Sequence, residues 1–273
     1  MRLRSLLFVP ADRPERFAKA AASGADAVIL DLEDAVAAEA KPAARAAALA
    51  FLAQPAGVLR VVRLNPLASP FIADDLAVAA QADAVMLPKA EGAASVAALQ
   101  AMLGAGAPPI LPIATETPAA LFELGSYRQA AGLWGLTWGA EDLPAAIGAT
   151  SAREADGRYT PPYELARSLT LMGAHAAGVP AIETVYPDIA DMAGLAAYAA
   201  RGARDGFTGM LAIHPRQVAV INAAFTPSAE EIARARAIVA AFAAQPGAGV
   251  LQLDGRMVDA PHLKQARALL ARA

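Results

Sequence analysis

The chain has 273 residues, 56% of them hydrophobic, which is material for one large core, and α/β barrels of this length fold as single domains. A formal net charge of -3 leaves no basic excess for tracking a nucleic-acid backbone. Cysteine is absent, which excludes disulfides, a thiolate nucleophile and Cys-ligated zinc or iron–sulfur centres, and fits a reducing, cytoplasmic setting.

At the N-terminus Arg2 and Arg4 precede an apolar run that meets Pro10 at once. The run is far shorter than the about 20 residues of a membrane span, so it predicts a first buried strand over 5–9 and neither a signal peptide nor a membrane anchor. Further short β-branched or Leu-rich runs predict strands over 27–30, 58–64, 84–87, 110–114, 133–138, 181–185 and 209–213. Between them, longer Ala-rich segments predict helices over 14–22, 42–53, 71–80, 93–103, 118–130, 162–176, 189–203 and 216–224. Apolar strands alternating with helices read as parallel βα units, and eight of them predict a TIM (β/α)8 barrel. An internal echo, ADAVIL at 25–30 and ADAVML at 82–87, supports the repeat. An open dinucleotide-binding sheet is the alternative architecture, but no strand runs into a G-x-G-x-x-G turn and no Walker loop is present. Residues 148–160 are polar and carry the turn signal Asp156-Gly157, predicting a long loop after the sixth strand. The barrel is expected over 1–225. A C-terminal helical extension is expected over 226–273, with Ser228 capping its first helix and a joint near 245–249, packing on the barrel or on a neighbouring subunit.

In a barrel the chemistry sits where the strands end. The strand ends here carry Asp12 and Arg13; Asp31, Glu33 and Asp34; Arg63 and Asn65; Lys89; Glu116; Gly139 to Asp142; Glu183; and His214. Glu116 and Asp142 follow neighbouring strands, and two carboxylates with waters suit Mg²⁺, or Mn²⁺ in its place. Zinc is disfavoured, because His175, His214 and His262 show no ligand spacing. The competing reading has Asp142 capping a helix and Glu116 paired with Lys89 or Arg63. Asp31 and Glu33 share one face if the strand continues, with Asp34 on the other; the three order metal-bound water or pair with Lys41 and Arg45. Arg63 suits bidentate capture of a carboxylate, and equally an ion pair with Glu33 or Glu116. Lys89 orients carboxylates or neutralises the rim. His214 reads as a general base or a hydrogen-bonded turn residue. Arg13, Arg16 and Lys19 read as a phosphate handle or as a solvated helix face.

With these residues in view, the chain resembles the citrate lyase beta-subunit family, within the wider group of Mg²⁺-dependent malyl-CoA, citramalyl-CoA and citryl-CoA lyases. The resemblance rests on RSLLFVPADR at 4–13, VILDLEDA at 28–35, VRLN at 62–65, VMLPK at 85–89 and ETP at 116–118. It continues in WGAEDL at 138–143, ADG at 155–157, IHP at 213–215 and GRMVD at 255–259, so it spans almost the whole chain in order. It implies Mg²⁺ on Glu116 and Asp142, metal-bound water on Asp34 and Glu33, and a keto or hydroxy acid held by Arg63 beside Gly139, Ala140 and Glu141. It implies a CoA thioester substrate, and Arg13 and Lys19 are then the candidates from the chain's own pattern for its phosphates. Asp259, contributed by a neighbouring subunit of a homotrimer, would move the acetyl proton. The expected reaction is reversible Claisen-type cleavage to acetyl-CoA and an α-keto acid. The alternatives are a carrier-bound citryl substrate, an aldolase on free hydroxy-keto acids, or a scaffold subunit.

Overall fold

The computed structural model describes residues 2–55 and 57–273. The chain divides into two compact units, Leu3–Asn222 and Ala223–Ala273. The first unit carries eight parallel strands: β1 (Ser5–Pro10), β2 (Ala27–Asp31), β3 (Leu59–Arg63), β4 (Ala84–Leu87), β5 (Ile110–Pro112), β6 (Leu136–Thr137), β7 (Ala181–Glu183) and β8 (Gly209–Ala212). Their order is β5-β4-β3-β2-β1-β8-β7-β6, so each pairs with its sequence neighbour and β1 pairs with β8. The two ends meet through the bridges Ile110↔Leu133 and Ile113↔Thr137, which close the sheet into the TIM barrel that the alternation predicted.

The return helices are α1 (Phe17–Ala21), α2 (Lys41–Leu52), α3 (Ile72–Ala79), α4 (Gly92–Leu103), α5 (Pro118–Glu123), α6 (Asp142–Ile147), α7 (Pro161–Ala177), α8 (Met192–Asp205) and α9 (Pro215–Ala224). The helix expected over 118–130 stops at Glu123 and continues as a 3₁₀ segment, Leu124–Gln129. Gly125 and Ser126 lower its helix propensity there, and the Ser126 hydroxyl donates to the Glu123 carbonyl instead. Residues 148–160 form the expected long loop, pinned by an Arg153↔Tyr159 bridge and turning at Gly157. The short α6 within the β6–α7 connection has no counterpart among the predicted helices.

Strand periodicity decides what faces inward. Leu6, Ile29, Val61, Met86, Leu111, Ile182 and Leu211 belong to one buried cluster that fills the barrel. Close packing at the floor requires glycine at Gly209, where a Cβ would lie 1.7 Å from the Leu3 carbonyl oxygen. Moving along β2 and β3 in steps of two, the inward positions run Ala27, Ile29, Asp31 and Leu59, Val61, Arg63. The register pairs Asp31 with Arg63 directly. The interior is therefore apolar until its last layer, where it becomes ionic.

The second unit is not purely helical, which corrects the expected helical extension. After α10 (Ala229–Ala244) the chain forms an antiparallel hairpin, β9 (Val250–Leu253) and β10 (Arg256–Asp259), before α11 (Ala260–Leu270). Asp254 and Gly255, with φ of 51° and 74°, make the two-residue turn that such a hairpin demands. Ser228 caps α10 in a reciprocal capping box with Glu231. Asp259 caps α11 in the same way with His262. Ile238, Leu251, Val258 and Ala266 share one small core. Among the described residues, no helix is long and apolar enough to cross a membrane.

Candidate active site

A cavity of about 330 Å³ opens at the carboxyl ends of the strands, lined by residues that include Phe8, Asp31, Arg63, Glu116, Trp138 and Asp142. Arg63 enters it from the end of β3. Its Nε and Nη2 donate to the two oxygens of Asp31 at 2.8 and 2.6 Å, and its guanidinium lies 5.0 Å above the Phe8 ring. Nη1 approaches Glu33 Oε2 at 2.8 Å. That approach is an ion contact without hydrogen-bond alignment, so Glu33 Oε2 is buried with no hydrogen bond. Burial works against the Arg63 charge, but Asp31 and then Glu33 and Glu116 outweigh it and raise its pKa. A guanidinium has five N–H donors. Asp31 takes two of them and Glu33 lies against Nη1, so the N–H groups that neither acid engages are what is left for an incoming carboxylate.

The acidic loop after β2 is held from behind. Lys41, buried in α2, donates to the carbonyls of Leu32 and Glu33 at 2.7 and 2.9 Å. Its partners are thus backbone oxygens and not the acid side chains that sequence reasoning paired it with, while Arg45 takes Asp75 and Asp74. Asp31 and Glu33 both turn to Arg63, and Asp34 is exposed. Burial raises the Glu33 pKa against the opposing pull of Arg63 and Lys89.

Glu116 follows β5 in the strand-to-helix connection before α5 and is buried. One oxygen accepts the Lys89 backbone N–H at 2.5 Å. Gly139 leaves the space that the other side of this carboxylate fills: a Cβ there would lie 2.8 Å from Glu116 Cγ and 3.2 Å from Oε1. Burial pushes the Glu116 carboxyl up to about 8; the Lys89 N–H opposes this, and Glu33 and Asp142 add to it. The N-cap of α6 is Glu141, whose side chain makes no cap hydrogen bond; Asp142 is the first residue of the helix, and its carboxylate lies 3.6 Å from the Lys89 ammonium.

Carboxylate oxygens are the donor type that a hard divalent cation takes, although among the described residues no three acidic or histidine side chains converge into a ready-made metal cluster, so waters or substrate would have to complete the shell. Burial raises the pKa of Glu116, and one buried Glu33 oxygen has no hydrogen bond, with only the Arg63 charge against it. A cation with its ordered waters would supply a counter-charge to Glu116 and a hydrogen-bond donor to Glu33.

Other candidates fall elsewhere. Gly139, Ala140 and Glu141 line the same cavity as Arg63 and Glu116. Arg13 and Lys19 are exposed on the first βα connection and α1, and neither lines it. Glu183 is not a rim acid. It is wholly buried, accepting from Trp138 Nε1, Tyr198 OH and Arg167 Nε, so it braces the Trp138 wall from behind. His214 is a turn residue, with Nδ1 accepting from the Arg216 N–H. Asn65 binds Asp75 and the Leu32 carbonyl. Asp259 lies in the second unit, where His262 Nδ1 sits 2.5 Å from its Oδ1 and holds its pKa below the usual carboxylate range.

Comparison with known proteins follows the same lines. The profile of the HpcH/HpaI aldolase/citrate lyase family matches residues 4–215, and that of C–C bond lyases of the TIM-barrel fold matches 174–273. A citrate lyase subunit beta-like protein of Mycobacterium tuberculosis is 44% identical over 269 residues, covering 98% of this chain and 94% of its own length. In Cereibacter sphaeroides, a (3S)-malyl-CoA thioesterase is 34% identical over 281 residues, and an L-malyl-CoA/beta-methylmalyl-CoA lyase is 33% identical over 300. Each covers 99% of this chain and 94% of its own length. The crystal structure of protein CitE from M. tuberculosis in complex with magnesium, acetoacetate and coenzyme A superposes with a TM-score of 0.84 at 41% identity, covering 99% of this chain and 97% of that one.

Proposed function

The chain belongs to the HpcH/HpaI aldolase/citrate lyase family, and on that premise we propose that it is a Mg²⁺-dependent carbon–carbon lyase that cleaves a 3-hydroxy-3-carboxyacyl-CoA, of the citramalyl-CoA or malyl-CoA type, into acetyl-CoA and an α-keto acid. The observation that carries this reading is the joint presence, in one cavity, of an immobilised guanidinium and the carboxylates of Glu116 and Asp142. Relatives whose names specify malyl-CoA, and a homologous structure holding magnesium and coenzyme A, support it.

Glu116 and Asp142 are the residues that would hold Mg²⁺, with Mn²⁺ as a substitute; when bound, the ion supplies Lewis-acid polarisation of the hydroxyl and its neighbouring carboxylate. Arg63 grips that carboxylate with the N–H groups that Asp31 and Glu33 leave. The hydroxyl proton passes to water ordered by Asp34 and Glu33. The O–H electron pair becomes the new C=O bond, the carbon–carbon bond breaks, and its electrons move onto the thioester α-carbon as an enolate. Asp259 of a neighbouring copy gives that carbon a proton, or takes one in the condensing direction. The pull of His262 on Asp259 favours its ionised form, which is the form that condensation needs. Arg63 stays with the departing keto acid and stabilises charge in a site with little water. Arg13 and Lys19 hold the phosphates of CoA, the assembly is a homotrimer, and the enzyme works in the cytoplasm.

The test is product analysis from citramalyl-CoA and malyl-CoA, with Mg²⁺ and with EDTA. Acetyl-CoA plus keto acid, released only with metal, is the expected result. Free CoA plus the hydroxy acid would instead favour hydrolysis, the second reading, which the thioesterase relative supports. No product from either thioester would sink both readings and turn attention to carrier-bound citryl or CoA-free substrates.

A further inference from the structure

Lys89 is spent on the rim twice over. It occupies the turn between β4 and α4 with a φ of 51°, in the left-handed region. Among the described residues, the other non-glycine residue with positive φ is Asp254, in a hairpin turn where that conformation is ordinary. A lysine gains nothing locally from this geometry, and glycine would adopt it without strain. What the conformation achieves is to aim both ends of one residue at the same place. The backbone N–H reaches Glu116 Oε2 at 2.5 Å. The ammonium reaches Glu33 Oε1 at 2.8 Å, and Asp34 Oδ2 and Asp142 Oδ1 at 3.6 Å each. Arg63 cannot do this work, since its guanidinium is already shared between Asp31 and Glu33.

We infer that Lys89 is a built-in counter-cation for the carboxylate rim: its single ammonium charge offsets part of the charge that Glu33, Asp34 and Asp142 bring together in the metal-free protein and competes with the divalent ion for Asp142, while its N–H keeps Glu116 in place throughout. Lys89 is thus a positioning residue that sets metal affinity. The competition keeps the ion exchangeable and spares the metal-free barrel a cluster of unscreened acids. The inference rests on the proposed assignment of Glu116 and Asp142 to Mg²⁺.

The experiment is isothermal titration of MgCl₂ into the EDTA-treated full-length protein, at fixed pH and ionic strength, for the wild type and for Lys89→Met, Lys89→Arg and Glu116→Gln. Lys89→Met is expected to bind Mg²⁺ about tenfold tighter or more, as for removal of a like charge at this range. Lys89→Arg keeps the charge and should stay within about threefold of the wild type. Without metal, Lys89→Met should melt below the wild type, and it should gain more from added Mg²⁺. Unchanged or weaker binding by a folded Lys89→Met would overturn the counter-cation role while leaving the metal assignment standing. No binding by the wild type, or full binding by Glu116→Gln, would instead overturn the assignment itself. Should Lys89→Met fail to fold, the wild type still decides. The lysine Nζ resonance that disappears in Lys89→Arg must shift when MgCl₂ is added, and a stationary resonance rejects the inference.

Discussion

Arg63 has its orientation fixed before any ligand arrives, by two hydrogen bonds to Asp31 and by the ring of Phe8. Lysine at that position keeps the charge but loses the planar fork, so it cannot serve Asp31 and a substrate carboxylate together. Arg63→Lys is therefore expected to lower kcat/KM by about 100-fold or more, most of it in kcat, with the fold retained by circular dichroism. A loss confined to KM would mean that Arg63 only binds the ground state. Glu116 gives the site a pH signature. Its carboxyl titrates near 8 in the metal-free fold, against about 4.3 in an unfolded chain. Between these values the native state holds the extra proton, so this group's contribution to stability is full below about pH 4.3 and is lost as pH rises towards 8. Mg²⁺ needs the ionised form, and so binding below pH 8 must expel that proton. The apparent affinity should climb about tenfold per pH unit from about 6 to 8 and then level off. Titration in two buffers of different ionisation enthalpy reads the released proton directly; a flat profile with no proton release would contradict the burial argument.

The βα alternation was legible because it is a periodic signal carried by many residues, and each predicted strand lies within a few positions of an observed one. The misses are elements whose signal is short. α6 spans six residues, and the β9–β10 hairpin announces itself only through Asp254-Gly255 between two half-exposed runs. The site was legible as a set of strand ends, because polar residues there interrupt apolar runs. Which acid serves which cation was not, since that depends on register: Asp31 faces Arg63 only because β2 and β3 pair in that alignment. Glu183 looked like a rim acid by position, but a strand one residue longer or shorter turns a side chain from cavity to wall. Gly139 shows how a connection enforces the site. It sits just beyond β6 on the wall of the Glu116 carboxylate, at a place where any Cβ would press on Glu116 Cγ at 2.8 Å. Gly139→Ala should leave the barrel folded yet weaken Mg²⁺ binding about tenfold by displacing that carboxylate. Calorimetry of the purified variant checks this, and wild-type affinity would show that the connection yields more easily than its packing suggests.

At the scale of the molecule, the barrel unit carries Arg63, Glu116 and Asp142, while Asp259, the expected carrier of the acetyl proton, belongs to the helix–hairpin–helix unit. Asp259 is anchored by its cap on α11 and by His262, so its position within its own unit is well defined. If a neighbouring copy supplies it, the two halves of the machinery need not come from one chain. An Asp259→Asn chain retains an intact barrel site, and a Glu116→Gln chain retains an intact proton carrier. Each alone should be nearly inactive. Co-expressed in equal amounts in a closed ring, a working site needs an Asp259→Asn barrel served by a Glu116→Gln neighbour, which statistics gives in about a quarter of positions. Metal-dependent acetyl-CoA release should therefore return to about 25% of the wild-type rate in the mixed assembly, and stay near background when the separately purified variants are mixed without subunit exchange. Were Asp259 to act within its own chain, no mixed site could hold both groups, and co-expression would recover nothing. The recovered fraction thus tests whether the active site is a property of the chain or of the assembly.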